Sequence, residues 1–486
     1  MMTSSAAATR SLFKNSVSQV GGRLVLSALR LVTAGLIVRF LGAERFGEYT
    51  VVIGFVLIFE WMVDFGQTDI VVRDISQRHE EDAPVEMGAL MHLKAIQGVG
   101  LSLLLPMLVF GLGYSRTMIE AAAIGSLGLL CYAATLVFRA TFKIRMRMER
   151  DILAEAAGAL IILPLTWWAA HLGAGLVVLV GCYSISRLIY LCFAVFLARH
   201  DMVRPSTGGS VRKAAFALAR AAAPLGLSGA IVWLYDALAP VLLSKIADMS
   251  AVALYAAPSR YIFAIIAVVQ ALNTAFFPML ARQWRNSREQ FTRLQQVALE
   301  TSMLMGIGFI CTAVASATFL MRLIGPEVVE AAPVLQLMCA ILLLRTVSTA
   351  MSPLIIISGS QSVSLWLTIG SIVLQVLFIA ILVPRFGAFG AVVGYLLVEV
   401  FSVIPIAVIG QRASGVSLRW GPPALLTACG GAALLVFRFT PIWGSWLGGL
   451  TCPLLFLALC FLTGAVSLRK LRLIYAQLAD RSFAAG

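Results

Sequence analysis

Long apolar runs separated by short polar clusters dominate the chain. Fourteen such runs are bounded by charge, Gly or Pro: roughly 16–40, 46–66, 87–111, 117–138, 152–171, 174–198, 222–245, 252–279, 295–319, 331–357, 362–383, 388–410, 421–439 and 443–466. Within each run the apolar residues are continuous rather than alternating, which is a helical pattern and not that of barrel strands. In lipid only helices or closed barrels satisfy the backbone's hydrogen bonds, and about 20 apolar residues cross the hydrocarbon core. The pattern therefore predicts an all-α polytopic membrane protein with about 14 transmembrane helices. The longest polar connection, RHDMVRPSTGGSVRKAAFALAR at 199–220, falls between the sixth and seventh runs. It predicts an N-terminal lobe of six helices over 1–200, a cytoplasmic inter-lobe linker over 201–220 and a C-terminal lobe, helices seven to twelve, over 221–410. Two extra helices and a cytoplasmic tail would fill 411–486. An echo at an offset of 206 places Tyr49 and Tyr255 in similar loop-to-helix contexts. Two six-helix lobes around a central cleft is a common transporter plan.

Composition agrees with the pattern. Of 486 residues, 60% are hydrophobic and 12% charged, with a mean hydropathy of +0.93. Soluble domains carry about 25% charged residues, so a soluble enzyme, a disordered chain and a disulfide scaffold are all excluded. The eight cysteines lie in apolar runs without a C-x-x-C pair and are expected to be small buried hydrophobes. No cleavable signal peptide is expected. Met1 to Asn15 is polar with Arg10 and Lys14, and the first apolar run is too long for a signal core.

The charge excess, 37 Lys+Arg against 23 Asp+Glu, would suggest nucleic acid in a soluble chain. Here it orients the helices instead. With the N-terminus in the cytoplasm, 24 basic residues fall on the cytoplasmic side, six on the opposite side and seven in or near the ends of spans. This asymmetry predicts an even number of helices with both termini inside, a lipid bilayer as partner and no nucleic acid.

Motifs for catalysis are missing. None of the six lysines follows a glycine, so no phosphate-binding loop of the G-x-x-x-x-G-K-[ST] type exists, and neither H-E-x-x-H nor G-x-S-x-G occurs. The expectation is a secondary transporter, not an enzyme, with no cofactor beyond a coupling cation or proton. Charges inside spans are costly and mark function. Arg23 and Arg30 stand seven residues apart on the first run, on one helical face about 10 Å apart along the axis. Arg187 and Arg345 are central in the sixth and tenth runs, and Lys94 and Arg260 lie nearer the ends of the third and eighth. Among acids, Asp236 and Glu399 are central, while Glu60 and Asp64 share a face at i,i+4 in the second run. These carboxylates fit two roles, as buried counter-ions of arginine or as coupling and gating groups. Several arginines at mid-membrane depth suit an anion, because guanidinium keeps its charge when buried and binds phosphate bidentately.

Three stretches carry a family resemblance: L-G-A-E-R-F-G-E-Y from Leu41 to Tyr49, D-F-G from Asp64 to Gly66 with Arg73 following, and P-R-F-G-A-F-G-A from Pro384 to Ala391. With these, the chain resembles the oligosaccharide-lipid (O-antigen-type) flippases of the multidrug/oligosaccharidyl-lipid/polysaccharide exporter superfamily. The resemblance covers the whole chain in length, span count and lobe order. It implies alternating access and movement of undecaprenyl-pyrophosphate-linked oligosaccharide from the cytoplasmic to the periplasmic leaflet of the bacterial inner membrane. That substrate serves O-antigen, capsule or exopolysaccharide synthesis, with a polysaccharide polymerase and a chain-length regulator as expected partners of a monomeric flippase. The diphosphate gives Arg23, Arg30, Arg187, Arg345, Arg260 and Lys94 a ligand, and leaves Asp236, Glu399, Glu60 and Asp64 for coupling or gating. Within the superfamily the alternatives are a lipid II flippase and a cation-coupled multidrug exporter. Multidrug exporters typically carry a carboxylate on the first helix, where this chain has only arginines. A polytopic glycosyltransferase or ligase is more distant, since such enzymes use large outer loops and every outer loop here is short.

Overall fold

The computed structural model describes residues 2–77, 83–202, 205–206, 208–359 and 361–466, with side chains described from Val25 onward apart from scattered positions. Among the described residues there is no β-strand. The order is α1 (Met2–Asp64), α2 (Gln67–Gln77), α3 (Ala83–Gly111), α4 (Arg116–Ile144), α5 (Met148–His171), α6 (Leu176–Ala198) and α7 (Gly209–Ile246). Then follow α8 (Met249–Asn286), α9 (Arg288–Ala315), α10 (Ala317–Ile324), a 3-10 segment Pro326–Ala331, α11 (Ala332–Ile357), α12 (Gln361–Ser414), α13 (Gly421–Arg438) and α14 (Trp446–Leu462).

Two helices are far longer than a bilayer needs, α1 at 63 residues and α12 at 54. Each is two spans joined at one glycine. Gly42 (φ 86°, ψ 169°) breaks α1, and Gly387 (φ 53°, ψ −132°) breaks α12, in conformations that essentially only glycine adopts. Counting both as pairs and setting aside the short α2 and α10, the helices give the fourteen spans read from the apolar runs. The motif segments at Leu41–Tyr49 and Pro384–Ala391, which run into the second and twelfth apolar runs, are helix-to-helix breaks with almost no loop. Elsewhere serine side chains start helices: Ser115, Ser287 and Ser445 accept from backbone N–H groups three residues on.

The chain's internal contacts divide into two units, Arg10–Ala253 and Leu254–Gly486 with Met1–Thr9. In the first, α4 packs extensively on α6 and α3, α5 on α6, and α7 on α3 and α2. The end of α7 is pinned by polar contacts: the Tyr114 and Ser244 hydroxyls lie 2.7 Å apart, and Lys245 donates to the Leu112 carbonyl at 2.6 Å. In the second unit, α11 packs on α12 and α9, and α13 and α14 lie on α9. Its core contains Phe276, Phe291, Leu299, Met303, Cys311 and Phe456. Large apolar side chains also cover exposed faces, among them Leu103, Met107 and Phe110 on α3 and Phe193 and Phe196 on α6. Such faces suit solvation by lipid, and among the described residues ten helices are long and apolar enough to cross a membrane. Six of the eight cysteines are buried; Cys131 is half-buried and Cys192 exposed.

Candidate functional site

Burial is costly for a charge unless it is paired, and the first unit solves this with a chain of tyrosines, arginines and carboxylates. On α6, Tyr183 and Arg187 are one turn apart and face Glu60 on the second half of α1. The Tyr183 hydroxyl donates to Glu60 Oε1 at 2.7 Å, and Arg187 Nη2 donates to Oε2 at 2.6 Å. Arg187 Nε also donates to the Tyr183 hydroxyl at 2.9 Å. Its guanidinium sits 5.0 Å from the ring centres of both Tyr132 and Tyr183. All of this is within the interior, with Glu60 and Arg187 both buried.

Tyr132 leads to a second cluster. Arg139, two turns along α4, reaches the Tyr132 hydroxyl at 3.5 Å and the Tyr190 hydroxyl at 3.3 Å. Its strongest partner is Asp151 on α5, at 3.0 Å, and Tyr190 donates to the other oxygen of that carboxylate at 2.7 Å. One turn further along α5, Glu155 offers one oxygen to Arg139 at 3.8 Å and the other to Arg30 on α1 at 3.4 Å. The cluster thus holds three arginines (Arg30, Arg139, Arg187) against three carboxylates (Glu60, Asp151, Glu155). Arg30 is its open end, with a 59% exposed side chain.

Lys94 has a different setting. Its ammonium donates to the Val63 carbonyl at 2.6 Å, the Asp64 carbonyl at 2.8 Å and Gln67 Oε1 at 2.9 Å. The first two are the last carbonyls of α1, so a buried cation caps a helix C-terminus where the dipole favours it. The D-F-G stretch is the turn being held: Phe65 and Gly66 both have positive φ, 43° and 72°. Asp64 accepts from Thr68 at 2.7 Å and stands 3.9 Å from the Lys94 nitrogen. All three donors of Lys94 are engaged in this turn.

The second unit carries a smaller set. Arg345 on α11 donates to Glu399 at 2.7 Å and to the Tyr395 hydroxyl, both on the second half of α12. Tyr395 also lines a small, mostly apolar cavity with Tyr255, Ser259, Phe263 and Met338. Arg260 is half-buried on α8. The two buried clusters are built alike with opposite sign. Tyr183 and Arg187 sit at i,i+4 on α6 and meet an acid, whereas Tyr395 and Glu399 sit at i,i+4 on α12 and meet an arginine. The sequences agree: α6 begins after Gly173-Ala174 and reaches Gly181-Cys182-Tyr183, and the second half of α12 begins at Gly387-Ala388 and reaches Gly394-Tyr395.

Of the residues singled out in the sequence, the structure brings Arg30, Arg187 and Glu60 into one network and Arg345 with Glu399 into another. Lys94 and Asp64 meet at the α1 turn. The side chains of Arg23 and Asp236 lie outside the described residues. The sequence reading overlooked Arg139, Asp151, Glu155 and the tyrosines Tyr132, Tyr183, Tyr190 and Tyr395. An available signal was the acid pair Asp151-x-x-x-Glu155, one helical face at the start of a span, directly after the basic stretch that contains Arg139. Among the described residues no group of three His, Cys, Asp or Glu side chains could hold a metal ion.

A family model described as polysaccharide biosynthesis protein matches residues 12–284. No curated protein sequence matches the chain. Among solved structures, the lipid II flippase MurJ in an inward closed conformation superposes with a TM-score of 0.77 at 12% identity, over 94% of this chain and 99% of that one. An inward-facing multidrug resistance MATE family transporter of the MOP superfamily gives 0.67 at 18% identity, over 82% and 98%. A MOP superfamily transporter from Pyrococcus furiosus, described as having a binding pocket of reverse polarity, gives 0.60 at 17% identity, over 83% and 96%. At these identities the likeness establishes a shared fold.

Proposed function

The chain belongs to the polysaccharide biosynthesis protein family, and from that premise we propose that it is a flippase for undecaprenyl-pyrophosphate-linked oligosaccharide. It would carry this lipid from the cytoplasmic to the periplasmic leaflet of the bacterial inner membrane by alternating access, with both termini in the cytoplasm. The observation that carries the proposal is the arginine network of the first unit. Three guanidiniums stand in one connected polar cluster within helices otherwise made for lipid, and Arg30 opens it to the outside. A diphosphate linker is the part of such a substrate that guanidinium recognises best, by charge-assisted bidentate hydrogen bonds. A cationic drug would be repelled by the same groups, and the first span, the part of α1 before Gly42, bears no acid that could receive one, since Glu44 is the first carboxylate of the chain.

The acids take supporting roles in this reading. Glu60 and Glu399 keep Arg187 and Arg345 oriented and neutralised at depth, and Lys94 with Asp64 secures the turn after α1. Arg345 and Arg260 in the second unit would serve the same anion at another stage of the cycle. A polymerase and a chain-length regulator would receive the product.

The proposal is tested by reconstituting the purified protein in liposomes with a fluorescent oligosaccharide on a polyprenyl diphosphate and following loss of lectin or quencher access at one leaflet. Protein-dependent translocation of this lipid, with none of a cationic multidrug dye, is the expected result. Transport of the dye but not of the lipid would overturn it.

A further inference from the structure

Four buried thiols meet where α13 and α14 pack on α9: Cys311 on α9, Cys429 on α13, and Cys452 and Cys460 on α14. Helix α14 has two faces. Leu450, Leu454, Leu457 and Phe461 are exposed, the face that lipid would cover, whereas Gly449, Cys452, Phe456 and Cys460 turn inward. That inward face begins with glycines and comes close to α9. A Cβ on Gly448 would stand 2.9 Å from the Ala315 carbonyl oxygen, and one on Gly449 2.7 Å from the Ser316 Cβ. Close approach matters because a disulfide needs its Cα atoms within about 7 Å. The contacts step in opposite directions along the two helices: Gly444 lies at Thr318, Gly448 at Ala315 and Gly449 at Thr312. One further turn in this register brings Cys452 opposite Cys311. Both side chains are fully buried, and their thiols interact directly. The second pair, Cys429 and Cys460, lies within the α13–α14 hairpin, where Cys429 is 3.4 Å from the Thr463 hydroxyl.

We infer that Cys311 and Cys452 form a two-thiol modification site, bridged to a disulfide by uncharged hydroperoxides that dissolve in lipid. One sulfur attacks the peroxide, the O–O bond breaks, and the alcohol leaves with that thiol's proton, giving a sulfenic acid. The second sulfur displaces the hydroxyl, an S–S bond forms, and water leaves with the second proton. Two thiols and one hydroperoxide thus become one disulfide, one alcohol and one water, with two electrons passing from sulfur to the O–O bond. Every reactant and product is neutral, which suits a site that apolar side chains close to ions. Among the described residues no third ligand side chain joins the pair to make a metal site. Because α13 and α14 pack on α9 and on each other, this one bond would fix the hairpin to the rest of its unit.

The test treats the full-length protein in liposomes with cumene hydroperoxide, blocks the remaining free thiols, and reads the intact mass and the proteolytic peptides. The expected product has lost the mass of two hydrogens. It yields a linked peptide pair carrying Cys311 and Cys452, which a phosphine reductant separates. The bridged protein should melt about 2–4 °C above the reduced one, and Cys452→Ala should give no such pair. Tetrathionate, a charged oxidant, should leave both thiols reduced. The inference is overturned if Cys311 and Cys452 stay free under the hydroperoxide, if they reach only sulfinic acid, or if only Cys429 and Cys460 become linked. Equal bridging by tetrathionate would overturn the lipid-soluble class of oxidant. These outcomes are all read on the native protein, so they hold even where Cys452→Ala folds poorly.

Discussion

Glu60 receives hydrogen bonds from both Tyr183 and Arg187, so Glu60→Ala leaves a buried guanidinium with no carboxylate. Breaking a buried pair from one side costs about 3–5 kcal/mol, and the purified variant should melt well below the native protein. Replacing both partners, as Glu60→Leu with Arg187→Leu, should recover much of that loss, because the uncompensated charge is gone. A double variant no more stable than Glu60→Ala would show that the pair is not the source of the cost. Charges such as Arg187, Arg345, Glu60 and Glu399 are legible in the sequence because each interrupts an apolar run. Their pairing is not, since Arg187 meets Glu60 across 127 residues and Arg345 meets Glu399 across 54. Arg139 was hidden for another reason. It stands in a run with Lys143, Arg145, Arg147 and Arg150, which reads as a basic loop, yet the helix continues through Ile144 and turns Arg139 inward onto Asp151.

At the level of elements, the glycine-containing segments Leu41–Tyr49 and Pro384–Ala391 are places where two spans join without a loop. Gly42 and Gly387 take backbone conformations closed to most side chains, and neighbouring glycines permit close approach: a Cβ on Gly47 would lie 2.0 Å from the Met249 carbonyl oxygen, and one on Gly390 2.5 Å from that of Leu382. Gly42→Ala and Gly387→Ala should each destabilise by about 1–3 kcal/mol, read as a lower melting temperature and poorer membrane insertion yield. Gly54→Ala, helical and with open space around its Cβ position, should be neutral or stabilising by about 0.5–1 kcal/mol. Equal effects at Gly42 and Gly54 would refute the conformational explanation. Hydrophobic periodicity shows where spans lie but says nothing about a single residue with positive φ, so the motif was visible while its job as a hinge between helices was not. The D-F-G turn follows the same logic: Asp64 and Lys94 each stand out in sequence as charges near span ends, but only the fold shows Lys94 capping the α1 carbonyls.

For the molecule as a whole, fourteen spans could be counted from apolar runs because lipid demands length and continuity, and both are properties of contiguous sequence. What pairs with what inside each unit depends on packing between distant helices. The repeat between units shows how little of it the sequence prints: a shared Gly, Tyr and charge spacing on α6 and α12, with the sign of the charge reversed. On the flippase reading it is Arg30, the exposed end of the arginine network, that meets the diphosphate, so the account stands on whether Arg30 reads the diphosphate during transport. The most direct measurement is the initial rate of translocation in liposomes for one oligosaccharide carried on polyprenyl diphosphate and on polyprenyl monophosphate, in native protein, Arg30→Lys and Arg30→Glu at matched protein content. The account predicts that native protein favours the diphosphate, that Arg30→Lys retains part of that rate, and that Arg30→Glu abolishes it. Full diphosphate transport by Arg30→Glu would contradict it.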